Sequence, residues 1–170
     1  MLRELTENDY KEFRRIYLDA VKSRPTLFAE SYAETKKSPD VYWQRFLRQA
    51  YLDEGSLICG VEDRKTKVLV GMIIIRGNKA TRLSHVSHLV PVFFRNSYDD
   101  EPVKQESVTK VLDYLKKETE VQKLQTFVTT INPELLSFYN ALGFIRYGFD
   151  EDHIKVGHSY YDCVLLSKHL

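Results

Sequence analysis

Two residues of the stretch NPELLSFYNALGF, Asn132 and Tyr139, stand seven positions apart and would be carried by one short amphipathic helix. At helical pitch the phenol projects about two turns from the amide on the same side, and Gly143 stops the helix in the position past its C-terminus. Taken singly, such an Asn is a helix cap and such a Tyr a half-buried aromatic. His88 stands in the strand-like run 80–94, where faces alternate, so Ser84, Val86, His88 and Val90 share one face and Leu83, His85, Ser87 and Leu89 the other. Its imidazole titrates in the range a general base needs, although a strand His is more often structural or on the surface. His85 and His88 face opposite ways, so they do not chelate one metal without a bulge, and no metal site is expected. The polar loop that follows, Arg95-Asn96-Ser97-Tyr98-Asp99-Asp100-Glu101, puts up to three carboxylates at the start of a helix. There they read as capping groups rather than metal ligands, with Pro102 in the first turn.

The elements that position these residues follow from periodicity. Leu2 to Leu5 is a short strand, and Thr6 caps a helix with Phe13, Ile16, Tyr17, Ala20 and Val21 on one face. Ser38-Pro39-Asp40 opens a second helix, with Val41, Trp43, Phe46, Leu47 and Ala50 on its apolar face. The segment between them, 24–37, is a loop. The runs 57–61, 67–76 and 80–94 are consecutive antiparallel strands, the last two joined across the hairpin signal Gly77-Asn78. Val103, Val108, Val111, Leu112 and Leu115 mark a helix ending near Thr119, and 123–129 is a fifth strand, so a parallel crossover is expected. The helix 133–142 and a closing antiparallel pair, 145–149 with 159–167, complete a mixed α/β order.

Composition narrows the class. The 170 residues suit one domain, read as 1–170, and no repeat or linker divides them. With 25 Lys and Arg against 24 Asp and Glu, the formal charge of +1 gives no field that would favour nucleic acid or an anionic membrane. MLRELTENDY has no apolar leader core, and the apolar run 68–75, interrupted by Gly71, is too short to span a bilayer. A soluble, cytoplasmic protein is expected. Cys59 and Cys163 sit in strand-like apolar runs and read as reduced core thiols.

The string N-x(6)-Y-x(2)-L-G-F, running from Asn132 to Phe144, resembles the C-terminal signature of the GNAT N-acetyltransferase superfamily, and the element order also follows that superfamily over nearly the whole chain. The resemblance implies a mixed, mostly antiparallel central sheet flanked by helices, with acetyl-CoA as cosubstrate and an amine, small or on a peptide or protein, as acceptor. It implies that Tyr139 protonates the departing thiolate, that Asn132 holds the pantetheine arm, and that amides near Leu89 and Val90 bind the acyl oxygen. His88 falls near positions where relatives carry an acid and becomes the candidate base. The segment from Val90 to Asp100 aligns with V-x(4)-[QR]-x-x-G-x-[GA], which places Arg95, Asn96 and Ser97 at the pyrophosphate and puts Tyr98 and Asp100 where relatives have small residues. Arg24, Phe28, Tyr32 and Trp43 resemble the acceptor-side wall, with ordinary packing as their other reading. Tyr160-Tyr161-Asp162 resembles the family's last strand, in which one Tyr would reach the acceptor or both would stabilise the sheet. Many members of the superfamily pair as dimers.

The Tyr98-to-Glu101 segment opens two further readings. Bulk and carboxylates there oppose a bound pyrophosphate, which would make the chain a binding or regulatory module that does not use CoA. Alternatively, the acyl donor is a carrier-bound phosphopantetheine thioester, for which Asn132 suffices without a pyrophosphate site.

Overall fold

The computed structural model describes residues 1–98 and 100–170. Seven strands form one sheet in the order β1-β2-β3-β4-β5-β7-β6, where β1 is Leu2–Glu4, β2 Leu57–Glu62, β3 Leu69–Arg76, β4 Val86–Phe94, β5 Lys123–Thr129, β6 Ile145–Val156 and β7 Ser159–His169. Every pair of neighbours is antiparallel except β4 and β5, which are parallel and joined by α4, Glu101–Glu118.

Helices cover both faces, which is why β3 is buried along almost its full length. On one face α1 (Tyr10–Ser23) and α3 (Asp40–Leu52) bury Phe13, Ile16, Tyr17, Trp43 and Leu47 against Ile58, Met72, Ile74 and Phe93. On the other, α4 and α5 (Pro133–Ala141) bury Val108, Val111, Leu115 and Phe138 against Ile73, Ile75, Leu89, Leu124 and Leu166. The apolar periods of α1 and α4 therefore point where their spacing predicts, except that Val103 is exposed. Pro39 is the N-cap of α3 rather than its first helical residue.

Three local expectations change. The segment 24–37 contains a 3-10 turn, Pro25–Leu27, and a short helix α2, Tyr32–Thr35, whose N-cap Ser31 hydroxyl accepts from the Glu34 amide. Gly77-Asn78 does not form a two-residue hairpin: β4 begins only at Val86, after a 3-10 turn at Thr81–Leu83, so Leu83, Ser84 and His85 precede the strand. The closing hairpin is longer than its apolar pattern suggests. β6 continues to Val156 through an irregularity between Asp150 and Ile154, where Asp152 has φ 52° and its amide donates to the Asp162 carboxylate at 2.9 Å.

One departure from regular pairing shapes the molecule. Parallel pairing between β4 and β5 covers only Val86↔Lys123, Ser87↔Leu124 and His88↔Gln125, although both strands run on. On its other side β4 pairs Ile74↔Val90 and then Met72↔Phe93, so Ile73 faces both Pro91 and Val92. This is a bulge, and Pro91, which has no amide hydrogen to give to a ladder, suits it. Beyond the bulge the approach is tight: a Cβ at Gly71 would lie 2.6 Å from the Phe94 ring.

Candidate functional site

Past His88, then, β4 and β5 diverge and leave a cleft. α5 packs against the sheet beside it and sends Tyr139 inward. The helix ends as its sequence requires, with Gly143 at φ 83° just past its C-terminus. Tyr139 is fully buried, and its phenol oxygen accepts the Val92 amide at 3.0 Å. Burial raises its pKa to about 12, against the Val92 amide and the neighbouring Thr126 hydroxyl, which favour the ionised form. The phenol is consequently protonated at neutral pH. Thr126, the first β5 residue beyond the pairing with β4, is buried, and its hydroxyl makes no hydrogen bond of normal geometry although it sits close enough to act on the phenol.

Two cavities follow one another along β4. The larger, about 630 Å³, runs beside Val92, Phe93 and Phe94 to Asn132, Pro133 and Phe138, with Arg24, Glu101 and Lys104 at its polar end. Asn132, which lines this cavity, is the N-cap residue of α5, yet its side chain does not cap the helix; the amide nitrogen donates to the Thr129 and Thr26 hydroxyls. Lys104 pairs with Glu101 at 3.3 Å and lies over the Phe138 ring.

The second cavity, about 430 Å³, takes in His88, Leu89, Val90 and Pro91 of β4 and Gln125, Thr126 and Phe127 of β5. Leu27 borders both cavities, and along β4 the smaller is lined as far as Pro91 and the larger from Val92, the residue whose amide donates to Tyr139. Phe28 and Glu30 form its wall, and Arg76 of β3 pairs with Glu30 at 3.6 Å. His88 lies at the exposed rim, with enough enclosure that desolvation lowers its pKa. The β6 irregularity brings His153 to this cavity, with its ring 4.8 Å from that of Phe127 and its Nδ1 2.7 Å from an Asp150 carboxylate oxygen.

The structure brings together most of the residues singled out by sequence, with a different division of labour. Asn132 lines the larger cavity; Tyr139, fully buried, lines neither and stands behind Val92, which does; His88, Leu89, Val90 and Phe28 belong to the smaller. Arg24 borders the larger cavity and not the smaller, Trp43 is fully buried core, and Tyr32 borders neither, its ring lying under Lys22 and Lys36. Tyr160 and Tyr161 border neither cavity; Tyr160 is exposed beneath Lys155, and Asp162 holds the β6 irregularity instead. Arg95 donates to Asp19 of α1 through Nε at 3.0 Å and a terminal nitrogen at 2.7 Å. Asn96 and Ser97 lie in an exposed 3-10 turn. Asp100 is the N-cap residue of α4 but makes no side-chain cap, and Asp99 lies outside the described residues. Val92, Thr126, Tyr147 and His153 escaped the sequence reading. The Pro91 in a central strand was the available signal for the first, because it forces a bulge beside itself.

The sequence matches the acetyltransferase (GNAT) domain family over residues 2–165. No curated protein matches it at a significant level. Among solved structures, a GNAT-family acetyltransferase from Streptococcus pneumoniae superposes with a TM-score of 0.87 at 16% identity, over 100% of this chain and 98% of that one. The ribosomal-protein-alanine N-acetyltransferase from Brucella melitensis gives 0.85 at 18% identity, over 100% and 99%. yncA from Salmonella typhimurium, solved with its cofactor acetyl-CoA, gives 0.84 at 10% identity, over 99% and 92%. At these identities the likeness is one of fold.

Proposed function

Since the chain belongs to the GNAT acetyltransferase family, whose cosubstrate is acetyl-CoA, we propose that it is an N-acetyltransferase acting on a small amine or on a peptide or protein amine. The observation that carries the reading is the buried Tyr139 phenol held by the amide of Val92, which borders the larger cavity next to Pro91 of the smaller. The larger cavity fits an acylated pantetheine arm: Phe93, Phe94, Phe138 and Leu27 supply apolar walls, and the Asn132 amide stands at its side. Acetyl-CoA supplies the activated acyl group there. Lys104, with Asn96 and Ser97 in the turn before α4, lies on the phosphate side, while Arg95 reaches it only by leaving Asp19.

The chain's own part in the reaction is placement and proton transfer. The cleft leaves the β5-facing edge of β4 without a paired residue from Leu89 onward, and a backbone amide on that edge serves as donor to the acyl oxygen as negative charge builds on it. The Leu89 and Val90 amides, read together from the sequence, point to opposite edges of the strand, Val90 toward its β3 partner Ile74. His88, neutral at pH 7 because its pKa is lowered, takes the proton of the attacking amine directly or through water. Tyr139 gives its proton to the leaving sulfur, and the Val92 amide stabilises the tyrosinate that remains. The aromatic wall of Phe28, Phe127 and Tyr147 beside the Glu30–Arg76 pair favours an amine with an apolar body.

Calorimetric titration with acetyl-CoA and with CoA, followed by a thiol-release screen of polyamines, arylalkylamines and short peptides, tests this. Saturable binding and amine-dependent thiol release are expected; binding without release by any amine would remove the enzymatic reading. A second reading has its own observation: Arg95 is engaged by Asp19, and Asp100 and Glu101 begin α4, so the pyrophosphate grip is weak. On that reading the donor is carried as phosphopantetheine, or CoA is not used. Asp100→Asn then raises CoA affinity about threefold, as removal of a charge near a helix N-terminus allows; no change at all would dismiss the electrostatic argument.

A further inference from the structure

Tyr139 must recover its proton after every turnover, yet it is fully buried. Its oxygen accepts the Val92 amide, and among the described residues its own hydrogen meets no acceptor in normal hydrogen-bond geometry. Beside it lies a second unsatisfied group. Among the described residues the Thr126 hydroxyl, sealed from solvent, has no hydrogen-bond partner of normal geometry, although it is close enough to act on the phenol, and its residue, 5% exposed, borders the smaller cavity, where the acceptor amine would lie. Buried hydroxyls without partners are uncommon and ask for an explanation. Its place in the fold gives one: Thr126 is the first β5 residue past the point where β4 and β5 cease to pair, so it stands at the apex of the cleft, within reach of the Tyr139 phenol and bordering the smaller cavity.

We propose that the Thr126 hydroxyl is the proton link between the acceptor cavity and the Tyr139 phenol. The inference rests on the acetyltransferase reading above. In the reaction the nitrogen–carbon bond forms and the carbon–sulfur bond breaks, with the electron pair left on sulfur. Sulfur takes the Tyr139 proton. The tyrosinate takes the Thr126 hydroxyl proton as that hydroxyl takes one from the cavity side, where His88 or water holds the proton released by the amine. The threonine oxygen gives and receives in one concerted passage, and the net change is one proton moved from nitrogen to sulfur. No oxidant or further reactant enters. A hydroxyl is the right group for this: it donates and accepts at once, and it needs no change of charge.

The test compares wild type with Thr126→Val, Thr126→Ser and Tyr139→Phe, using acetyl-CoA with 2-phenylethylamine, and acetyl-CoA alone for slow hydrolysis. Thr126→Val keeps the shape and removes the hydroxyl. It is expected to lower kcat about 100-fold, the low end of what positioned proton transfer contributes, with KM for acetyl-CoA unchanged. Thr126→Ser restores most of the rate, which a packing role would not do. A second readout is independent of turnover. With tyrosine labelled at ¹³Cζ, the Tyr139 resonance, identified by its loss in Tyr139→Phe, should shift in Thr126→Val and return toward wild type in Thr126→Ser. A slow Tyr139→Phe beside a normal Thr126→Val overturns the link alone. A Tyr139→Phe as fast as wild type overturns the acid role on which it rests. If wild type turns over neither 2-phenylethylamine nor water, the ¹³C shift decides, and an unmoved resonance rejects the link.

Discussion

The Val92–Tyr139 hydrogen bond gives the side chain a structural task beside the chemical one proposed for it. Tyr139→Phe removes the proton donor and is expected to lower kcat about 100-fold or more. It also leaves a buried amide unpaired, so stability should fall by about 1–3 kcal/mol, read by chemical denaturation alongside the rate. A variant that loses activity with stability unchanged would show that Val92 finds another acceptor in the cavity it borders. His88 gives a pH signature. As the proposed base it works as neutral imidazole, and its lowered pKa means that its contribution to kcat/KM should rise with pH through a value below the ordinary one for histidine. His88→Gln should abolish that acid limb; a limb that persists assigns the proton to another group.

At the scale of elements, the cleft is built by what β4 cannot do. Pro91 breaks the ladder toward β3, pairing toward β5 stops at His88, and the strand then supplies its backbone to the cavities. Gly71 guards the far end of this arrangement. Its Cβ would press on the Phe94 ring, which borders the larger cavity, at 2.6 Å. Gly71→Ala is expected to cost about 1–3 kcal/mol by overpacking and to weaken acetyl-CoA binding as the ring moves into the groove. Thermal unfolding and calorimetry measure the two effects, and intact affinity with lost stability would place the ring's displacement elsewhere. Much of this layer was legible in the sequence. The helical faces of α1 and α4, the crossover to β5 and the Asn132-to-Gly143 helix all follow from apolar spacing and caps, because each is decided within a few turns of chain. The extent of pairing between β4 and β5 was not legible, since register between distant strands leaves no mark on either one.

Across the molecule the same distinction separates what periodicity reveals from what assembly creates. The number and order of principal strands and helices could be read, whereas the Glu30–Arg76 pair joins a loop residue to the end of β3, and the turn that brings His153 to the cavity depends on Asp162, ten positions after Asp152. Arg95 read as a phosphate ligand because its partner Asp19 lies 76 residues away. The two cavities, one lined as far as Pro91 and the other from Val92, have a kinetic meaning. Neither is bordered by a cysteine: Cys59 and Cys163 are buried, and burial raises both thiols well above neutrality, to about 12 and about 11. On the proposed reading, with no thiol at either cavity to store the acyl group between visits, donor and acceptor are held together, each in its own compartment. Double-reciprocal plots at several fixed amine concentrations should therefore intersect; parallel lines would reveal a covalently charged enzyme working by a ping-pong cycle.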